Sequence, residues 1–362
     1  MKRAIISQMY LAVPFVLALS ACSGRSDGTG ATDSAHTTLD ALKSKATSME
    51  LRGTDSVYLA EPSALSVTRN SVFVADAGSS SVLVFGRDGK LQYVVGRRGK
   101  GPGEFVAPIA MTTINDSLLA VSDAALRRVS MYRLEDHKYL SSVLVPGMPF
   151  SISAAHDTIL LGIQDVARKT SVARFILGDA AVQQLGPIPA FILQNAQVAS
   201  SYPFSLASAS VSGYRVGFTA SNLIYGISTN GDITDSVSVP VRNRRGVPVD
   251  LPARLAKSTS PQNEAASTSL LVTMAGLSGG RTGLIHMDYI VTGSLVTGQA
   301  YLSTISAGGA AECADIKVPL LADTRPMFAF FSDTLFIVQN SLNKGSTGAT
   351  ATLSSIPVPR CS

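Results

Sequence analysis

A unit of short apolar runs separated by polar turns repeats along this chain, and the repeat limits the folds it can adopt. In the clearest copy, residues 62–90, three strand-like runs are separated by turns, and the copy closes on an Asp-Gly hairpin dipeptide. Residues 108–132 restate the pattern. Asp76 and Asp123, which end equivalent runs, lie 47 residues apart. This spacing is close to the length of one four-stranded propeller blade.

Weaker copies of the unit follow as far as the C-terminus. Runs in which a hydroxyl residue precedes three or four apolar residues begin at Ser71, Ser117, Thr158 and Thr334. Short strands at regular spacing, with turn signals and no helical period between them, indicate an all-β fold. We therefore predict a single β-propeller of six four-stranded blades over residues 55–362, with five or seven blades as alternatives.

The two ends of this domain predict how the ring closes. Ser56–Leu59 is strand-like ahead of the first repeat, and Thr350–Ile356 has no repeat after it. Pairing these N- and C-terminal strands within the last blade removes two free sheet edges, which are otherwise sites of aggregation. We expect ring closure of this kind.

The first residues have the properties of an export signal. Lys2 and Arg3 precede an apolar stretch, residues 5–19, that is too short for a comfortable membrane span. The run Leu-Ser-Ala-Cys that ends at Cys22 resembles the lipobox of bacterial lipoproteins. The resemblance implies a lipoprotein signal peptide at residues 1–21 and acylation of Cys22 with chains such as palmitate. An ordinary secretory signal with a chance cysteine is the alternative.

The segment after the lipobox has the composition of a linker. Residues 22–54 are rich in Ser, Thr, Gly, Asp and Ala. Because so few apolar side chains cannot offset the entropy lost on ordering, we predict a lipidated flexible tether, with a short helix allowed within residues 41–51. Ser23 rather than an aspartate follows the cysteine, which resembles lipoproteins sorted to the outer membrane. A lipid-anchored protein of the cell envelope, at the outer membrane, is expected.

Composition narrows the classes of function. Apolar residues make up 46% of the chain and charged residues 15%, as in an ordered globular protein. The formal charge is only +5, and two of these charges leave with the signal peptide, so no nucleic-acid partner is expected. With Cys22 lipidated, Cys313 and Cys361 remain as an even pair, which in an oxidising compartment predicts one disulfide. Two separate buried thiols are the alternative.

A glycine-rich run separates the first two repeats. It reads Lys-Gly-Pro-Gly-Glu-Phe, covers residues 100–105, and is followed by Pro108. The run resembles the interblade signature of bacterial six-bladed β-propeller lipoproteins, which are relatives of the NHL-repeat and TolB-like propellers. The resemblance is good over residues 57–140 and thin afterwards. It implies an exported, often lipid-anchored propeller, in a family whose molecular activities are mostly undefined.

Two basic clusters are the candidate binding sites. Arg97, Arg98 and Lys100 lie in the glycine-rich connection, where loop amides and cations together can hold an anion. Arg244 and Arg245 lie in a second long connection. Solvated charges on purely structural connectors are the alternative interpretation of both clusters.

The sequence contains no catalytic motif, no metal-ligand cluster and no cofactor-binding motif. Asp76 and Asp123 are interpreted as turn caps, with an orientation towards the central channel as the alternative. His156 occupies a turn position that is typical of a surface residue. We therefore expect no catalytic residue, no metal and no cofactor.

Together these features predict a non-catalytic binding or scaffold module of the cell envelope. Its expected partners are the membrane, through the lipid anchor, and an anionic polysaccharide or an envelope protein. The alternative is a propeller enzyme of the lyase, lactonase or sugar dehydrogenase type with its site at the axial channel, since propellers can assemble a site from distant blades.

Overall fold

The computed structural model of the protein describes residues 45–165, 167–179, 181–188, 205–210, 213–248, 250–257, 267–292, 295–321, 324–341 and 351–361. Cys22 and the predicted signal peptide lie outside these residues. The described chain forms six four-stranded antiparallel sheets and one short two-stranded sheet. The predicted all-β fold of six four-stranded blades is confirmed.

The strands of the first three blades follow one another along the chain. After β1 (Thr47–Leu51), blade 1 contains β2 (Pro62–Val67), β3 (Ser71–Asp76), β4 (Ser81–Gly86) and β5 (Leu91–Val95). The two-residue strands β6 (Arg97–Arg98) and β7 (Glu104–Phe105) lie in the connection to blade 2. Blade 2 contains β8 (Pro108–Ile114), β9 (Leu118–Asp123), β10 (Arg128–Arg133) and β11 (Tyr139–Leu144). Blade 3 contains β12 (Met148–Ala155), β13 (Thr158–Asp165), β14 (Thr170–Ile176) and β15 (Gln183–Pro187).

The second half of the chain forms the other three blades. Blade 4 contains β16 (Ser205–Ser210), β17 (Gly213–Phe218), β18 (Leu223–Ile227) and β19 (Ile233–Ser238). A short helix, α1 (Leu251–Lys257), precedes blade 5, which contains β20 (Ser269–Gly276), β21 (Thr282–Thr292), β22 (Leu295–Ile305) and β23 (Ala311–Val318). Blade 6 contains β24 (Thr324–Phe331), β25 (Thr334–Ser341) and β26 (Ala351–Pro357). Within the described ranges, no helix combines the length and apolar character needed to cross a membrane.

The first strand of each blade lies nearest the axis of the ring. These inner strands contact one another in succession, and β24 contacts β2. Because each sheet is antiparallel, the connections between blades and the turns between second and third strands lie at one end of the ring. We call this end the connection face. The opposite end, which carries the remaining turns, is the hairpin face.

The ring closes through a strand from the N-terminal side, as expected, but with different residues. β1 pairs with β26, so that Thr47 lies opposite Ser355 and Leu51 opposite Ala351. The prediction that residues 56–59 supply this strand is wrong. Leu59 is buried but does not belong to a strand. The closing strand therefore comes from the last part of residues 22–54, which the sequence assigned to the tether.

Apolar runs in the two middle strands of blade 1 pack into two cores, one on each face of the sheet. Phe73 and Val84 pack into the core shared with blade 2, whereas Val74 and Leu83 pack into the core shared with blade 6. Successive side chains of a strand point to opposite faces of the sheet, and here both faces are covered by neighbouring blades. This explains why the runs in β3 and β4 are continuously apolar rather than alternating.

The C-terminal segment after β26 is joined to blade 5. Cys313 in β23 and Cys361 form a disulfide with their Cα atoms 5.3 Å apart. The sequence predicts a disulfide between these same two cysteines. The bond holds the end of the chain against the blade that precedes the closing one.

Candidate functional site

The connection between blades 1 and 2 is a compact loop, residues 96–105. Its ends pair as a short parallel ladder, with Arg97 opposite Glu104 and Arg98 opposite Phe105. Gly96 has φ = 72°, and a Cβ atom there would lie 2.3 Å from the Phe105 ring. Phe105 itself is fully buried in the core between the two blades. The glycine and the buried ring therefore fix where the loop leaves blade 1 and enters blade 2.

Arg128, at the start of β10, stabilises the loop by hydrogen bonding to its backbone. Its guanidinium donates to the carbonyl oxygens of Lys100 at 3.2 Å, Gly101 at 2.7 Å and Glu104 at 2.6 Å. Three hydrogen bonds from one charged group tie one blade to the connection that leads into it. No sequence motif marks this arginine, because its partners are backbone carbonyls more than twenty residues away.

Glu104 stabilises the same loop with its carboxylate. Its oxygens accept hydrogen bonds from the Gly101 N–H at 2.8 Å and the Arg97 Nε at 3.0 Å. These bonds, the backbone one first, hold the pKa of Glu104 below its ordinary value. The carboxylate therefore stays ionised at neutral pH and remains engaged within the loop.

The cations predicted from the sequence lie on the outside of this loop. The Arg97 side chain is 81% exposed, and Arg98 and Lys100 are exposed as well. Arg98 also donates to the carbonyl of Gly78 at 2.6 Å. Arg127, on the neighbouring turn between β9 and β10, is exposed with φ = 49°. We call Arg97, Arg98, Lys100 and Arg127 the basic loop surface; it lies on the connection face.

Arg244 does not belong to such a surface. Its side chain is 0% exposed and donates from Nε to Asp315 Oδ1 at 2.8 Å. Its other nitrogens donate to Asn222 Oδ1 at 2.8 Å and to the Val239 carbonyl at 3.1 Å. The prediction that Arg244 presents an exposed charge for binding is wrong, because an acid 71 residues further along the chain pairs with it inside the fold.

Arg245 is in an intermediate position. Its side chain is 38% exposed and lies 3.7 Å from Asp288, and its Nη2 donates to the Tyr289 carbonyl. This residue lies between blades 4 and 5, whereas the basic loop surface lies between blades 1 and 2. In a ring of six blades these connections are opposite one another, so the two predicted clusters do not form one site.

Asp76 and Asp123 are structural groups at corresponding places in blades 1 and 2. Asp76 accepts from the N–H groups of Ala60 at 2.7 Å, Glu61 at 2.9 Å and Ser79 at 2.7 Å. Asp123 repeats this pattern in the next blade with Val106 at 2.7 Å, Ala107 at 3.2 Å and Leu126 at 2.9 Å. Both carboxylates are 0% exposed. Each clamps the incoming connection and the next turn to its blade, which agrees with the turn-cap interpretation.

A buried polar cluster between blades 4 and 5 was not predicted from the sequence. It contains Arg244, Asp315, Asp288 and Tyr301, with His286 fully buried beside them. Neither ring nitrogen of His286 has a hydrogen-bond partner among the described residues. Burial, and secondarily the charge of Arg244, lowers the pKa of His286 well below its ordinary value. The imidazole is therefore neutral in the folded protein at neutral pH.

A shallow hollow of about 510 Å³ lies on the hairpin face of blade 2. Residues of both charge signs line it: Asp116, Ser117, Leu118, Arg133, Leu134 and Glu135. Among the described residues, no group of three or more His, Cys, Asp or Glu side chains is placed to hold a metal ion. The described lining of the hollow therefore offers charged and hydroxyl groups but no metal-ligand cluster.

Comparison with known families relates the N-terminal part of the chain to other propellers. Residues 33–161 match the profile of DUF5128, described as a 6-bladed beta-propeller family. This match covers about a third of the chain and includes both the basic loop surface and the first two blades. The sequence matches no curated protein.

Solved structures resemble almost the whole chain. A DUF4221 family member from Bacteroides vulgatus has a TM-score of 0.59 at 10% identity, with 87% of this chain and 97% of that one covered. A protein described as exported, from Bacteroides fragilis, has a TM-score of 0.55 at 12% identity over 86% and 96% of the two chains. An inactive virginiamycin B lyase from Staphylococcus aureus, with quinupristin, has a TM-score of 0.50 at 12% identity over 85% and 99%. At such identities the likeness shows the fold alone: this chain is a six-bladed β-propeller.

Proposed function

We propose that the protein is an exported, lipid-anchored binding module that uses its basic loop surface to hold a polyanionic partner in the cell envelope, without turnover. The observation that carries this proposal is the division of charge within residues 96–105. Glu104 and the neighbouring Arg128 are bonded to the loop, whereas Arg98 and Lys100 are exposed, and the Arg97 side chain is 81% exposed although its Nε donates to Glu104. A rigid loop of this kind loses little entropy when it binds, because its conformation is already set.

The arrangement suits an extended polyanion better than a small anion. The cations are spread over two turns of neighbouring blades, on an open part of the connection face. A small anion requires convergent donors in a concavity. Spread cations instead interact with many phosphate, sulfate or carboxylate groups at once, and this attraction weakens as salt screens it.

The lyase among the structural neighbours does not extend its reaction to this chain. Its identity to the chain is 12%, and function depends on site residues rather than on a shared fold. The predicted anchor at Cys22 remains part of the proposal. The exported neighbour from Bacteroides fragilis supports secretion or an envelope location.

The test is binding of a soluble polyuronate by the detergent-solubilised full-length protein over a range of salt concentrations. Replacing Arg97, Arg98 and Lys100 with alanine is expected to weaken binding about tenfold or more and to reduce its salt dependence. A matched control removes three exposed cations elsewhere, through Lys90→Ala, Lys138→Ala and Arg360→Ala, whose side chains are 79%, 75% and 77% exposed. Equal loss in both triple variants would show that net charge, and not this loop, governs binding.

A further inference from the structure

We infer that the basic loop surface, together with Leu144 and Met148, docks the propeller onto the surface of an anionic lipid bilayer. The inference rests on the proposed function and identifies its polyanion as lipid headgroups. The two apolar residues are the reason for this choice, because they add an apolar component to the surface, and the acyl-chain region behind the headgroups of a bilayer accommodates apolar side chains.

Leu144 is the most exposed large hydrophobic residue in the described part of the chain, at 75%. It ends β11, the outermost strand of blade 2, where the chain turns towards blade 3. Met148, at the start of β12, is 40% exposed. Two exposed apolar side chains four residues apart therefore flank one connection between blades, on the connection face.

These apolar residues adjoin the basic loop surface through β10. Leu144 lies directly opposite Arg128 in the β10–β11 ladder. The guanidinium of Arg128 bonds the carbonyl of Lys100, and the carbonyl of Arg127 accepts from the Val145 N–H at 2.9 Å. One patch thus combines outward cations with an exposed leucine and methionine.

This combination matches the boundary between headgroups and acyl chains. Each Lys or Arg near an anionic leaflet strengthens membrane attachment about fivefold. An apolar side chain that leaves water for the interface strengthens the attachment further. The predicted anchor brings the domain close to the bilayer. A flexible chain as long as the predicted tether between Cys22 and β1 has a reach of about 27 Å, which lets the connection face turn towards the membrane. Since the anchor already holds the domain there, weak contacts are enough to fix its orientation.

The experiment uses the full-length lipidated protein, inserted by its own anchor into vesicles. An environment-sensitive fluorophore is attached at Met148→Cys, and in a separate control at Asp157→Cys on the hairpin face of blade 3. Quenching by spin-labelled lipid is measured in vesicles of phosphatidylcholine alone and of phosphatidylcholine with phosphatidylglycerol. The Met148→Cys label is expected to be quenched in the anionic vesicles only, and the Asp157→Cys label in neither.

Charge and apolar contributions are then separated in the labelled protein. Alanine at Arg97, Arg98 and Lys100 is expected to reduce the docked-to-undocked ratio on the order of 100-fold, and Leu144→Ser about tenfold. Equal quenching in neutral and anionic vesicles, or none in either, overturns the inference. If quenching is absent while the soluble polyuronate still binds through the loop, the proposed function stands and only the bilayer is excluded as its partner. If both are absent, the proposed function fails as well.

Discussion

The buried ion pair between blades 4 and 5 offers the sharpest test of how this ring is held together. Asp315 and Arg244 have side chains that are each 0% exposed, with Arg244 Nε 2.8 Å from Asp315 Oδ1. The other carboxylate oxygen accepts from the N–H groups of Arg242 at 2.7 Å and Asn243 at 3.2 Å. The substitution Asp315→Asn keeps the size and shape of the side chain, removes its charge and replaces one acceptor oxygen with an NH₂ donor.

The expected loss in free energy of unfolding follows from the interactions that Arg244 retains after Asp315→Asn. Arg244 stays buried and charged without its acid, and the new amide group presents donors to the guanidinium. Breaking a buried pair by removing one partner costs about 3–5 kcal/mol. An ion pair at the surface contributes about 0–1 kcal/mol. Glu50→Gln, which breaks the exposed pair with Arg52 at side-chain exposures of 38% and 72%, is therefore a matched control.

Equilibrium urea unfolding measures the loss in free energy of unfolding for Asp315→Asn and for Glu50→Gln. The unfolding is followed by circular dichroism because the chain contains no tryptophan. A loss for Asp315→Asn no larger than that for Glu50→Gln would refute the argument that this pair is a buried structural element. A second variant separates charge from packing. Asp315→Asn combined with Arg244→Met removes both charges, and we expect it to recover a large part of the stability, since an uncharged replacement of a buried pair is often tolerated.

Three further predictions concern the chain ends and the buried histidine. Cys22→Ser is expected to leave an unlipidated precursor, detected by intact mass and detergent partitioning; an unmodified Cys22 in the wild-type protein would refute the anchor. Thiol counting under denaturing, non-reducing conditions is expected to find Cys313 and Cys361 oxidised, and their 48-residue separation gives a contribution of about 4 kcal/mol to stability in the loop-entropy account. Since burial lowers the pKa of His286, the unfolded chain binds a proton below pH about 6.5 that the folded chain does not. Stability should therefore fall as the pH drops from 7 to 5, and His286→Gln should flatten that fall; an unchanged slope would contradict it.

The closing strand shows where the sequence pattern was sufficient and where it was not. The unpaired ends of the repeat predict ring closure, but the run at 56–59 is more apolar than Thr47–Leu51 and therefore carries the stronger strand pattern. Leu59 is indeed buried, at 2% exposure, although it makes no sheet ladder. An apolar pattern predicts which residues are buried. Whether a segment forms a strand also depends on backbone hydrogen-bond partners, and the partners of Thr47–Leu51 lie some 300 residues away in β26.

The same limit applies to the candidate site. Arg97 and Arg98 could be placed on an exposed loop because the surrounding glycines mark a turn. The burial of Arg244 could not be predicted, because its acid is distant in sequence and only the packing of blade 4 on blade 5 brings the two together. No local motif marks His286 as a buried residue of the same cluster. Local motifs predict loop geometry, and they do not predict long-range charge pairing.

The two arginine-rich connections differ in where they place their charge. Between blades 4 and 5 the cation is directed inward and neutralised by Asp315, so it contributes to the fold. Between blades 1 and 2 the half-buried Arg128 donates to loop carbonyls, whereas Arg97 and Arg98 contact Glu104 and the Gly78 carbonyl from exposed positions. Exposed charged side chains of this kind contribute little to the free energy of folding. The proposed function assigns these exposed cations to a partner outside the chain, and the bilayer-docking proposal adds the exposed Leu144 beside them.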